Sequence, residues 1–265
     1  MNNKARITSL LNAQSLDFSI TGMETFQLSD LDLEITPDIA LPANVRLGHL
    51  AEKIVSGLIV ASSNFDMVDE NIQIIEEKRT VGELDFIVKE IDNQKITHLE
   101  LAYKFYLLDP SLSAEPIKSW IGPNRNDFLQ KKLEKLKQKQ FPLLYHPQVK
   151  TRLNEIEVKD VSQALCLLAS LYIPYESKMD LSPAYAKAVK GYYLDLETFA
   201  RLDNPSKTYH LPAKKEWGIE PADNEIWAGF KTVEEALVNS LSEKQARLCW
   251  QRDGDSYSEF FIVWW

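Results

Sequence analysis

Residues 82–105 read GELDFIVKEIDNQKITHLELAYKF, two runs of alternating residues joined by a polar turn, the pattern of a β-hairpin. Leu84, Phe86 and Val88 share one face of the first run; Leu99, Leu101, Tyr103 and Phe105 share one face of the second. A slip of one residue turns every side chain of a strand over, so the two apolar faces superpose only when paired residue numbers sum to an odd number. A two- or four-residue turn centred on Asn93-Gln94 sets that sum at 187. It pairs Leu84 with Tyr103, Phe86 with Leu101 and Val88 with Leu99 on the apolar face. On the opposite face it pairs Glu83 with Lys104, Asp85 with Ala102 and Ile87 with Glu100. Asp85 then faces a small residue and has Glu100 and Lys104 as diagonal neighbours, about 7–8 Å away by general sheet geometry.

Two readings of that charged face are open. Two carboxylates beside one gap can hold Mg²⁺ or Mn²⁺, which keeps several waters and binds phosphate oxygens. Such an ion polarises a phosphodiester and lowers the pKa of an attacking water, while a lysine orients that water or offsets developing charge. The plainer reading makes Glu83 and Lys104 a cross-strand ion pair worth about 1 kcal/mol at most, with Asp85 and Glu100 as exposed polar positions.

Outward from the hairpin, VRLGHLAEKIVSGLIVAS over 45–62 spaces Leu47, Leu50, Ile54, Leu58 and Ala61 as a helix and places Glu52 on it. A short strand is expected over 71–75, and Pro110 and Pro116 mark a loop after the hairpin. In GPNRNDFLQKKLEKLKQKQFP, Asn124 or Asn126 can cap a helix with Phe128, Leu129, Leu133 and Leu136 as its apolar stripe, ended by Pro142. The run ALCLLASLYIP from Ala164 is read as a strand. In the last third a helix is expected over 233–243, and Asp253-Gly254 between two β-prone runs signals a second hairpin.

The 265 residues are 45% hydrophobic, enough for a sizeable core. The longest uncharged runs, 54–65 and 161–175, fall short of the roughly 20 apolar residues of a membrane helix. The N-terminal segment lacks a continuous apolar signal core, and a cytoplasmic protein without a membrane partner is expected. Cys166 and Cys249 are too few for a disulfide framework and too distant for a metal knuckle, so they read as buried thiols. Net charge is −9, yet 118–152 carries nine Lys or Arg against Asp127 and Glu134. That basic segment is either a solvated helix face or the contact with a polyanion, in which case Arg125, Lys131, Lys132 and Lys135 bind phosphates. His98 shares the charged strand face and reads as a partly exposed neighbour. There is no phosphate-binding glycine loop, G-x-S-x-G elbow or H-E-x-x-H. Trp264 and Trp265 suit packing, or stacking on bases.

GELDFIVKE, HLELAYKFYL and WIGPNRNDFLQKKLEKLKQKQFPL, with LGHLAEKIV before them and LPAKKEW after, resemble the bacterial family described as domain of unknown function 1853. That family is grouped with the PD-(D/E)xK nuclease-like superfamily. The resemblance implies an α/β, restriction-endonuclease-like core, a mixed β-sheet flanked by helices. It implies Asp85 and Glu100 as the metal-binding acids, and Glu52 as an additional helical glutamate serving as an outer or third ligand. The superfamily lysine stands two residues after the second acid; here that position is Ala102, and the lysine is Lys104. The expectation is thus an N-terminal extension over 1–44, a nuclease-like core over 45–175 and an α+β C-terminal region over 176–265. The expected activity is metal-dependent cleavage of nucleic acid, DNA before RNA, through Asp85, Glu100 and Lys104. The alternative is a non-catalytic module of the same fold that binds nucleic acid or a protein partner.

Overall fold

The computed structural model describes residues 3–265. Among the described residues nine strands, β1 (Phe65–Glu76), β2 (Arg79–Glu90), β3 (Ile96–Leu108), β4 (Trp120–Ile121), β5 (Ser162–Pro174), β6 (Val189–Asp195), β7 (Lys207–His210), β8 (Arg247–Asp253) and β9 (Ser256–Val263), form one sheet. Its order is β1-β2-β3-β5-β6-β9-β8-β7, with β4 paired to β3 off this path. The sheet is mixed, because β6 runs parallel to β5 and to β9 while the hairpins are antiparallel. The protein is α/β, its large sheet flanked by helices. None of its helices is long and apolar enough to cross a membrane, among the described residues.

Among the described residues the chain divides into two compact units assembled from separate stretches: 10–103 with 131–168, and the residues up to 9 with 104–130 and 169–265. β3 and β5 each contribute residues to both units.

In the unit containing the hairpin, helix α1 (Leu47–Ala61) buries Leu47, Leu50, Ile54 and Leu58, the stripe expected from spacing, and lies along β1. β1 is longer than the strand expected over 71–75. It forms a hairpin with β2 through Glu77-Lys78, both at positive φ, the geometry that continues the twist of the flanking strands. Helix α2 (Leu129–Lys135) passes into a π-helical turn, Leu136–Gln140, and then a 3₁₀ turn, Phe141–Tyr145. Pro142 sits at the start of that last turn, where a missing N–H costs no helical hydrogen bond. These turns lie on β2. A Cβ at Gly82 would come within 2.3 Å of Leu143 Cδ1, so the glycine admits this close approach. Ile72, Ile74, Leu84, Ile87, Leu144 and Val149 form the core beneath. The segment before α1 adds bridges to β5, Ser15 to Leu168 and Thr25 to Leu165.

In the other unit, helices α3 (Leu196–Leu202) and α4 (Phe230–Ser242) pack together, and Phe199, Tyr209, Leu237, Phe260 and Ile262 are buried in one cluster. The second hairpin forms as expected, its two-residue turn Gly254-Asp255 starting at a left-handed φ of 59°. Both cysteines are free and buried. Trp265 packs at a tilt against Tyr193 and donates from Nε1 to Pro123 O.

Candidate functional site

The β2–β3 ladder runs from Lys89↔Ile96 to Phe86↔Leu99, pairs that sum to 185. The odd parity demanded by the apolar faces holds, but the register lies two residues from the expected 187. Asp85 therefore does not face Ala102, and continuation of the ladder brings it level with Glu100. The turn decides this. Glu90 N bonds Lys95 O, closing a four-residue turn over 91–94 with Gln94 at φ 61°. The Asn93 side chain donates to Glu90 Oε2 at 2.7 Å and accepts from Lys95 N at 2.8 Å, an Asx arrangement that centres the turn one residue earlier.

Beyond Phe86 the side chains replace the ladder. Leu101 N–H, which the alternation would direct at Leu84 O, instead donates to Asp85 Oδ2 at 2.7 Å. The Asp85 backbone N–H donates to the Glu100 carboxylate. The two acids are thus tied to one another's strands at the place where the strands part.

The face carrying Asp85 and Glu100 is covered, not open. Glu100 and His98 are both 0% exposed, while Asp85 is half-buried. His98 Nε2 lies 2.9 Å from Glu100 Oε1, and Gln140, brought in by the π-helical turn, donates from Nε2 to Glu100 Oε2 at 2.7 Å. Gln163 on β5 reaches His98 Nδ1 at 3.4 Å and Phe141 O at 2.7 Å, and the Phe141 ring stands edge-on to His98. The expectation of a partly exposed His98 is therefore corrected: it is a buried partner of the second acid. Alternation showed that His98 and Glu100 share a face; it contained no sign that the segment after α2 would cover it. Gln140 and Gln163 carried no local signal at all, since each reaches the site from another element.

Burial raises the pKa of both acids, and each is raised further by neighbouring carboxylates, Asp85 chiefly by Glu100. Glu52 on α1 adds its field to both, and its own carboxylate bonds His49 Nδ1 at 2.9 Å. Lys132 on α2 lowers both, and its Nζ is 3.3 Å from Gln140 Oε1. Burial pushes His98 down to about 4, so its imidazole is neutral near pH 7.

The other expected residues take different places. Lys104 belongs to the second compact unit, where its Nζ pairs with Asp127 Oδ2 at 2.6 Å; the cation by the acid pair is Lys132. The expected Glu83–Lys104 pair gives way with the register, and Glu83 accepts from Gln73 on β1. Arg125 also lies in the second unit, bound to Asp109 at 2.7 Å and stacked 4.4 Å over Trp265, so its charge is already engaged. Lys131 and Lys135 on α2 are exposed.

Two carboxylates with oxygen donors alone, no arginine on either and mutual repulsion suit a hard divalent cation such as Mg²⁺ or Mn²⁺, for which one or two protein carboxylates and several waters are the usual set. Among the described residues, no group of three His, Cys, Asp or Glu side chains is gathered to hold a metal. Asp85 and Glu100 are the pair that could ligate, and Glu52 contributes from outside as a field.

A family model described as "Domain of unknown function (DUF1853)" matches residues 9–254, and the chain belongs to that family. Comparison with curated proteins and with solved structures found no match.

Proposed function

We propose that this member of the domain of unknown function 1853 family is a metal-dependent nuclease of the PD-(D/E)xK kind, hydrolysing phosphodiester bonds in DNA in the cytoplasm. The observation that carries the reading is the adjacent pair Asp85 and Glu100, held at the point where β2 and β3 separate, with Glu100 fully buried and Asp85 reachable from solvent. A mixed sheet with an acid-bearing hairpin and a glutamate-bearing helix beside it supports a restriction-endonuclease-like core. Asp85 and Glu100 would hold Mg²⁺ or Mn²⁺. Bound there, the ion would polarise the phosphate and acidify an attacking water. Glu100 is positioned by His98 and Gln140, so its oxygens are held in place before any ligand arrives. Lys131 and Lys135, exposed on α2 of the same unit, supply positive charge for the phosphate backbone.

A non-catalytic module that binds nucleic acid is the second reading. It is favoured by one observation: the lysine expected in the chemistry, Lys104, is already paired with Asp127. Purified protein incubated with single- and double-stranded DNA and RNA in Mg²⁺, Mn²⁺ or EDTA separates the two. Cleavage that requires the metal and is lost in Asp85→Asn supports the nuclease; cleavage surviving EDTA overturns it. Binding without cleavage or metal uptake supports the module.

A further inference from the structure

The hydrogen bonds around Glu100 have a direction that its two ends impose. At one end the Lys132 ammonium can only donate, so the Gln140 atom facing it at 3.3 Å is the amide oxygen. That choice turns Gln140 Nε2 toward Glu100 Oε2 at 2.7 Å as a donor. At the other end Phe141 O can only accept, so Gln163 presents Nε2 there, and the second hydrogen of the same amide group points at His98 Nδ1. His98 Nδ1 is then an acceptor, and the neutral ring carries its proton on Nε2, which donates to Glu100 Oε1. Both Glu100 oxygens therefore receive donors. A carboxylate that accepts on both oxygens is fixed in rotation and leaves its remaining lone pairs for a ligand.

Gln140 can play this part because the π-helical turn Leu136–Gln140 interrupts the regular helical ladder after α2. Single π turns occur often at functional sites. The charged and titratable groups around Glu100 come from four elements: Asp85 and Glu83 on β2, His98 on β3, Glu52 on α1 and Lys132 on α2. Lys132 is the single cation of this set.

We infer that Lys132 is the positioning residue of the acid pair: through the Gln140 amide it fixes the rotation of the Glu100 carboxylate. The inference rests on the nuclease reading for its kinetic consequence, but its structural content stands on the Lys132–Gln140–Glu100 contacts alone. The exposed lysines of α2 and the half-buried Lys132 thereby divide the basic segment into an outward face and an inward contact.

The test uses the full chain with Lys132→Met, Lys132→Arg and Gln140→Leu, and with Lys131→Met as an equal change of charge on the exposed face. In ¹⁵N spectra of the metal-free protein, the Gln140 side-chain amide should be a single, exchange-protected signal in the wild type and in Lys131→Met. It should broaden and lose protection in Lys132→Met and regain it in part in Lys132→Arg. The His98 ring should show the Nε2–H tautomer. On a cleavable duplex, Lys132→Met should lower kcat about 10–100-fold with KM little changed. The Lys132→Met/Gln140→Leu double variant should lose no more than Gln140→Leu alone, because the two act in series. A Gln140 amide that stays ordered in Lys132→Met overturns the inference, and this arm reads out even if the wild type cleaves nothing, an outcome that would sink the nuclease reading instead. A kcat unchanged in Lys132→Met on an otherwise active enzyme overturns it as well.

Discussion

Asp85→Asn should make the metal-free protein more stable, and increasingly so with rising pH. Asparagine keeps an oxygen for the Leu101 N–H that Asp85 Oδ2 now accepts at 2.7 Å, and its amide can donate toward Glu100. Burial and the Glu100 carboxylate push Asp85 up to about 8 from an ordinary value of 3.8. A folded pKa above the unfolded one means that the folded chain binds the proton more tightly. The group's contribution is therefore fully present below pH 3.8 and is lost as pH rises through about 8. The interval spans about four pKa units at about 1.4 kcal/mol each; if half is relieved by removing one of the two carboxylates, the variant gains about 3 kcal/mol at the alkaline plateau. Melting in EDTA at intervals from pH 4 to 9 reads this out: coincident curves at pH 4, and a gap of about 6 °C or more at pH 8 to 9. Saturating Mn²⁺ should reverse the order. At a thousandfold excess over its Kd the ion stabilises the wild type by about 4.1 kcal/mol, more than the gap of about 3 kcal/mol, and the variant, with half of the pair gone, should not respond. A gap that does not vary with pH, or a variant less stable at pH 8, would refute the mutual repulsion on which the site depends.

Two further perturbations probe the surroundings. Replacing Lys131 and Lys135 by Gln should reduce the slope of log binding constant against log salt on duplex DNA by about 1.8, at roughly 0.9 per phosphate contact; an unchanged slope would make this a solvated face with no part in binding. His98→Leu takes a donor from the fully buried Glu100 and should cost about 1–3 kcal/mol in urea unfolding, whereas a loss below about 0.5 kcal/mol would remove His98 from the network.

Much of the fold was legible because it follows from periodicity. The stripe of Leu47, Leu50, Ile54 and Leu58 marks α1, the apolar run from Ala164 lies in β5, and the Asp-Gly signal marks the β8–β9 turn. What escaped reading depended on partners distant in the chain. The burial of Glu100 escaped, because nothing in HLELAYKF shows that a π turn and a 3₁₀ turn forty residues later will close over it. Lys104 looked like the site's lysine from spacing alone, yet spacing along a strand cannot tell whether an aspartate such as Asp127 will take the charge first.

By itself the sequence determined the parity of the hairpin. With apolar residues on alternate positions of both strands, only odd sums bury them together, and that places Asp85 and Glu100 on one face whichever odd sum is chosen. It could not distinguish 187 from 185, since a slip of two preserves every face. That choice belonged to the folded turn, where Asn93 caps Lys95 and Gln94 takes the left-handed conformation. Tertiary structure likewise selected Lys132 over its neighbours, because the direction of a lysine on a helix relative to a strand is fixed by packing. The identity of the acids was a property of the pattern, and the company they keep was a property of the fold.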